Sequence, residues 1–133
     1  MGRSVSYASG AVAVAYVDVS EYEAYDWEFF IEDVQERVKS LWKSFDNCDE
    51  WLGQEDCAIV SNSHAYIGVS EYCGLASIWL VPREDVHDVY GNYAPQLADN
   101  FCAQIRAKFL RNFGELERLG TMSNGVGVFR KAG

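Results

Sequence analysis

The chain has 133 residues, nearly half of them apolar and 14% aromatic, and it carries a formal net charge of −9. That length and composition describe one domain able to bury a core, which excludes disordered and low-complexity classes. The acidic balance argues against a direct nucleic-acid binder, which needs a basic stripe to neutralise phosphates, and against docking on an anionic membrane.

The four cysteines, at 48, 57, 73 and 102, form no CxxC, and the two histidines do not stand at ligand spacing. Neither a structural zinc nor any other cofactor is therefore expected. No stretch reaches the ~18 apolar residues of a membrane span. The apolar run Ala11 to Val17 is too short for a secretory leader and passes straight into Asp18 and Glu21. The thiols are accordingly read as reduced and the protein as cytoplasmic. The opening MGRSVS fits the N-myristoylation pattern through Gly2 and Ser6, a pattern short enough to arise by chance.

Taken in order, residues 1–10 read as a loosely ordered lead-in. Ala11 to Val17 alternates Val12, Val14 and Tyr16 with alanines, the period of a strand. Ser20 to Tyr25 reads as an acidic, tyrosine-rich loop. From Asp26, a candidate N-cap, to about Phe45, eight large apolar residues from Trp27 onward recur at three- and four-residue steps. They form the stripe of a core-facing helix, with Phe29 on the opposite, polar side. Asn47 to Asp56 reads as a connecting turn.

The span Cys57 to Pro82 is the least charged in the chain and organises the rest. It predicts strands at Cys57–Val60, Ala65–Ser70 and Leu75–Val81, with a turn at Ser61-Asn62-Ser63 and a four-residue hairpin loop Glu71–Gly74. The third is apolar almost throughout and should be central. Arg83 to Tyr93 reads as a polar loop. A second helix runs from Pro95 to about Phe113, closed by Gly114, and Asn124-Gly125 signals a hairpin between two final strands. The order β-α-β-β-β-α-β-β predicts a single α+β domain: a mostly antiparallel sheet with two amphipathic helices packed on it, its strand order left open.

Charge is unevenly spread. Asp18 to Asp56 holds 13 acids against three bases, whereas Cys57 onward is balanced at seven of each. Glu28, Glu32 and Glu36 recur at i, i+4 on the first helix, a like-charge series that costs a few tenths of a kcal/mol per pair. Part of this is ordinary complement to the helix dipole, with Lys39 and Lys43 at the far end. The acids of the flanking loops, among them Asp46, Asp49, Glu50, Glu55 and Asp56, are not explained that way. An acidic face carrying Phe29 and Trp51, with Tyr22 and Tyr25, has the makings of a docking surface for a basic protein.

Enzymatic signatures are absent, and the reading leans away from an enzyme. A Cys73–His64 pair across the central hairpin is the minimum for nucleophilic chemistry, but no motif surrounds either residue. The loop acids do not follow calcium-loop spacing, and Gly125-Val126-Gly127 is no phosphate cradle.

At GRSVSYASGA, SEYCGLASIWLVPR and GTMSNGVGVF the chain resembles a set of small uncharacterised proteins of bacteriophages and mobile elements. The resemblance implies a phage product acting in the bacterial cytoplasm on a host factor, such as a nucleic-acid-binding defence protein with a basic cleft. It carries no site residue.

The reading that results is a non-enzymatic interaction protein. Its partner-binding residues would be Glu28, Phe29, Glu32, Glu36, Asp49, Glu50 and Trp51. The alternative is a small-molecule or nucleotide site near the central hairpin at His64, Tyr66, Tyr72 and Cys73. A homo-oligomer joined through strand edges or Phe29 is a third reading.

Overall fold

The computed structural model describes residues 12–19, 27–49, 57–112, 116–121 and 127–131. The lead-in, the Asp26 cap, Tyr22, Tyr25, Glu50, Trp51, Glu55, Asp56, Gly114 and the Asn124-Gly125 turn lie outside these residues.

The helical stripe at 27–45 and the β-branched block at 57–82 fold as their periods require. The elements are β1 (Val12–Asp18), α1 (Trp27–Leu41), β2 (Asp46–Asn47), β3 (Cys57–Ser61), β4 (Ala65–Tyr72), β5 (Leu75–Pro82), α2 (Pro95–Asn112), β6 (Leu116–Thr121) and β7 (Gly127–Lys131). The architecture is α+β. One sheet runs β2-β3-β4-β5-β1-β7-β6, antiparallel at every pairing except β1 with β7. The nearly all-apolar β5 is the central strand, paired with β4 along its whole length and with β1 on its other side.

Both helices cover the same face. Phe30, Val34 and Val38 of α1 and Cys102, Ile105 and Phe109 of α2 join one core with Ile67, Val69, Ile78 and Leu80 of the sheet. Trp42, just past α1, stacks on Phe109 of α2 with ring centroids 5.9 Å apart. A smaller cluster on the other face draws on β3, β4 and β5, where Ala58 and Val81 are buried against Cys48, Tyr66 and Trp79.

Three boundaries differ from the sequence reading. The helical pattern extends to Phe45, but α1 stops at Leu41, because the chain must reach the sheet edge. Trp42 N–H donates to Val38 at 2.8 Å, and Phe45 is buried from a tight turn. Asp46 and Asn47, read as loop, pair with Ser61 and Val60 as a short edge strand. The β4–β5 loop has two residues and not four: Tyr72 pairs with Leu75, while Cys73 (φ 52°) and Gly74 (φ 81°) make the turn. Positive φ at both central positions matches the twist of the flanking strands.

Candidate functional site

The outer face of α1 is fixed by what its inner face buries. With Phe30, Val34 and Val38 in the core, Glu28, Phe29, Glu32, Asp33 and Glu36 are exposed, Phe29 at 61%. Two of these acids meet cations of the same helix: Asp33 lies 3.7 Å from Arg37, and Glu36 lies 3.2 Å from Lys39. Among the described residues no ion pair involves Glu28 or Glu32.

The helix is tied to the sheet edge at one carbonyl. Gln35 Nε2 and the backbone N–H of Cys48 both donate to the oxygen of Ile59, each at 3.0 Å. Ile59 sits in a β-bulge of β3, where the ladder slips between Ala58 and Val60. That shared acceptor draws the flank of α1 and the end of β2 to one point. The exposed Asp46, Asn47 and Asp49 therefore border the same flank as Gln35. Glu50 and Trp51 fall outside the described residues.

The residues named for the alternative pocket do not gather. His64 precedes β4 and Cys73 follows it, so the whole strand separates them, roughly 25–30 Å at ~3.3 Å per residue. A Cys73–His64 catalytic pair is ruled out by that distance. Tyr66 lies by the His64 end of β4 and the backbone of Tyr72 at the Cys73 end. The buried Cys102 is no nucleophile either: burial, helped by the nearby charge of Asp99, pushes its thiol up to about 12. Among the described residues no three His, Cys, Asp or Glu side chains gather closely enough to hold a metal ion.

His64 does line an open cleft of about 810 Å³, with Ser44, Asp46, Ser61, Asn62, Ser63, Arg83, Asp85, Val86 and His87. Its walls are preorganised. Asn62 Oδ1 accepts from the N–H groups of His64 and Ala65, each at 2.9 Å, while its amide nitrogen donates to Ser44 Oγ at 3.1 Å. Arg83 lies over the ring of Tyr66 at 4.6 Å, and its Nε donates to Asp85 at 3.3 Å. His64 packs on Phe101 with centroids 5.2 Å apart and shares a 2.8 Å hydrogen bond with Ser63. Sequence reasoning found His64 but missed Arg83, Asp85 and His87. Their convergence depends on β5 running back beside the β3–β4 turn, which a single sequence does not reveal.

No protein-family profile matches the chain, and no curated protein or solved structure matches it.

Proposed function

We propose that the protein is a non-enzymatic interaction module whose α1 face docks on a basic protein surface. The observation that carries this reading is Phe29, 61% exposed among the exposed Glu28, Glu32 and Glu36 on a helix already anchored by its opposite side. A large apolar ring kept in water among carboxylates contributes nothing to the fold and suits a binding hot spot. The carboxylates would steer a cationic partner and set its register. A nucleic-acid-binding protein with a basic cleft is the partner class that such a face fits.

The test is an affinity pull-down from cell lysate. Wild type is compared with a Glu28→Lys, Glu32→Lys, Glu36→Lys variant shown by circular dichroism to be folded. A prey held by wild type alone, and released at ~0.5 M salt where screening leaves exposed charges a reach of only a few Å, supports the reading. Equal recovery by both proteins overturns it.

A second reading rests on the cleft around His64, whose volume and fixed polar walls suit a small polar ligand or nucleotide. It is tested by thermal shift against metabolites and metal ions. A true ligand at 100 times its Kd should add about 2.7 kcal/mol of stability.

A further inference from the structure

Between β5 and α2 the chain leaves the fold and comes back to where it left. Val86 and Ala94 are buried side by side, and Ala94 N–H donates to the Val86 oxygen at 2.8 Å. One step outward His87 and Tyr93 form an antiparallel bridge, their rings edge-on at 5.8 Å. Asp88 closes the tip. Its N–H donates to the Asn92 oxygen at 2.8 Å, and its carboxylate accepts from the N–H groups of Tyr90 and Asn92, each at 2.9 Å. Gly91 supplies the reversal at φ +83°. The knuckle so formed holds Val89, Tyr90 and Tyr93 at 92%, 86% and 62% exposure.

The connection from β5 to α2 does not need this excursion, since its two ends already touch. Nor does the core need it, because its largest apolar side chains point into water. A backbone so fully hydrogen-bonded, displaying two tyrosines and a valine, has the properties of a preorganised anchor. We propose that residues 87–93 form a docking peg, and that its occupant is a different protein presenting an apolar pocket rimmed by Lys or Arg.

Charge and area select that occupant. Residues 83–88 carry three acids, Glu84 and Asp85 before the peg and Asp88 within it, against one cation, Arg83, which Asp85 engages. A two-fold contact between copies would set these acids against their own images. The neighbouring cleft is walled by Ser61, Asn62, Ser63, His64 and Arg83, too polar to receive the Val89 and Tyr90 of a second copy. The three exposed side chains offer on the order of 400 Å², about half of what each partner gives to a standard interface. That is too little for a flat self-dimer; a pocket that encloses the peg also covers its backbone and so buries more.

The test replaces Tyr90 with the photo-crosslinker p-benzoylphenylalanine in cells that produce the protein, and maps the adduct by mass spectrometry. The expected result is a cross-link to another protein, inside an apolar pocket bordered by Lys or Arg. With that partner purified, Tyr90→Ser should weaken Kd at least about thirtyfold, the loss of a hot-spot side chain. The Glu28→Lys, Glu32→Lys, Glu36→Lys variant should keep the adduct, which separates failure of the helix reading from failure of this one. No adduct, an adduct to a second copy, a contact mapped to a polar surface, or an unchanged Kd for Tyr90→Ser each overturns the peg. Tyr90 lies outside the core, so its variants should melt with wild type.

Discussion

Helix α1 and the 87–93 peg both hold aromatic rings out in water, but different forces keep them there. On α1 the position of Phe29 follows from helix phase once Phe30, Val34 and Val38 are buried. On the peg almost nothing is buried beyond Val86 and Ala94 at its base, and the position of Tyr90 follows from hydrogen bonds that converge on Asp88. A surface built on burial keeps its shape until the whole domain unfolds. A surface built on a local network can lose its shape alone.

The largest effect should come from the burial side of this contrast. Phe30→Ala should cost about 3–5 kcal/mol by removing a fully buried ring from the core. Urea denaturation measures it, and a loss under ~1 kcal/mol would mean that α1 is not held by its inner face.

On the peg, Gly91→Ala should cost about 1–2 kcal/mol. The cause would be backbone strain at φ +83° and not crowding, because nothing lies within 4 Å of where the new methyl would point. Hydrogen exchange should therefore quicken at 88–92 while the β4 and β5 amides stay protected. Equal loss in both places would show that the peg is not a separate unit.

Acid should dissolve the same network. The N–H of Asn92, then that of Tyr90, hold the Asp88 carboxyl below its ordinary 3.8. A depressed carboxyl stabilises the ionised, hydrogen-bonded loop above 3.8, and that contribution is lost as pH falls through the lower folded value. The Asn92 amide resonance should accordingly titrate with a midpoint below 3.8. A midpoint at or above 3.8 would remove Asp88 from its place in the network.

The smallest effect belongs to the outer face of α1. Glu32→Gln relieves two like-charge contacts, to Glu28 and Glu36, and should stabilise the fold by a few tenths of a kcal/mol at low salt. A clear destabilisation would mean that Glu32 has a structural partner.

The same distinction explains what was legible in the sequence. Burial writes a period: the Trp27-to-Phe45 stripe predicts α1 and the exposure of Phe29, and the run from Cys57 to Pro82, charged only at Glu71, predicts β3, β4 and the central β5. Strand order is not periodic and could not be read. The separation of His64 and Cys73 is legible, since the predicted strand at Ala65–Ser70 lies between them in the chain, and its length at ~3.3 Å per residue already forbids the pair. Asp46-Asn47 has no β propensity; its pairing is imposed by β3, as is the early end of α1. In the sequence the peg reads only as a polar loop, because hydrogen bonds accepted by a single carboxylate leave no repeat. Its one local trace is Asp88 with glycine three residues on, the composition of a tight turn.

The seating of β1 between β5 and β7 has a consequence for how the molecule comes together. β2 to β5 can pair as successive neighbours along the chain, but the first strand joins the last-formed one through a parallel contact spanning more than a hundred residues. Loop-closure entropy makes so distant a pairing slow, and until β7 arrives one edge of β1 stands open as a template for other chains. Assembly should therefore show a late, rate-limiting step at this seam, and misassociation during refolding should begin there.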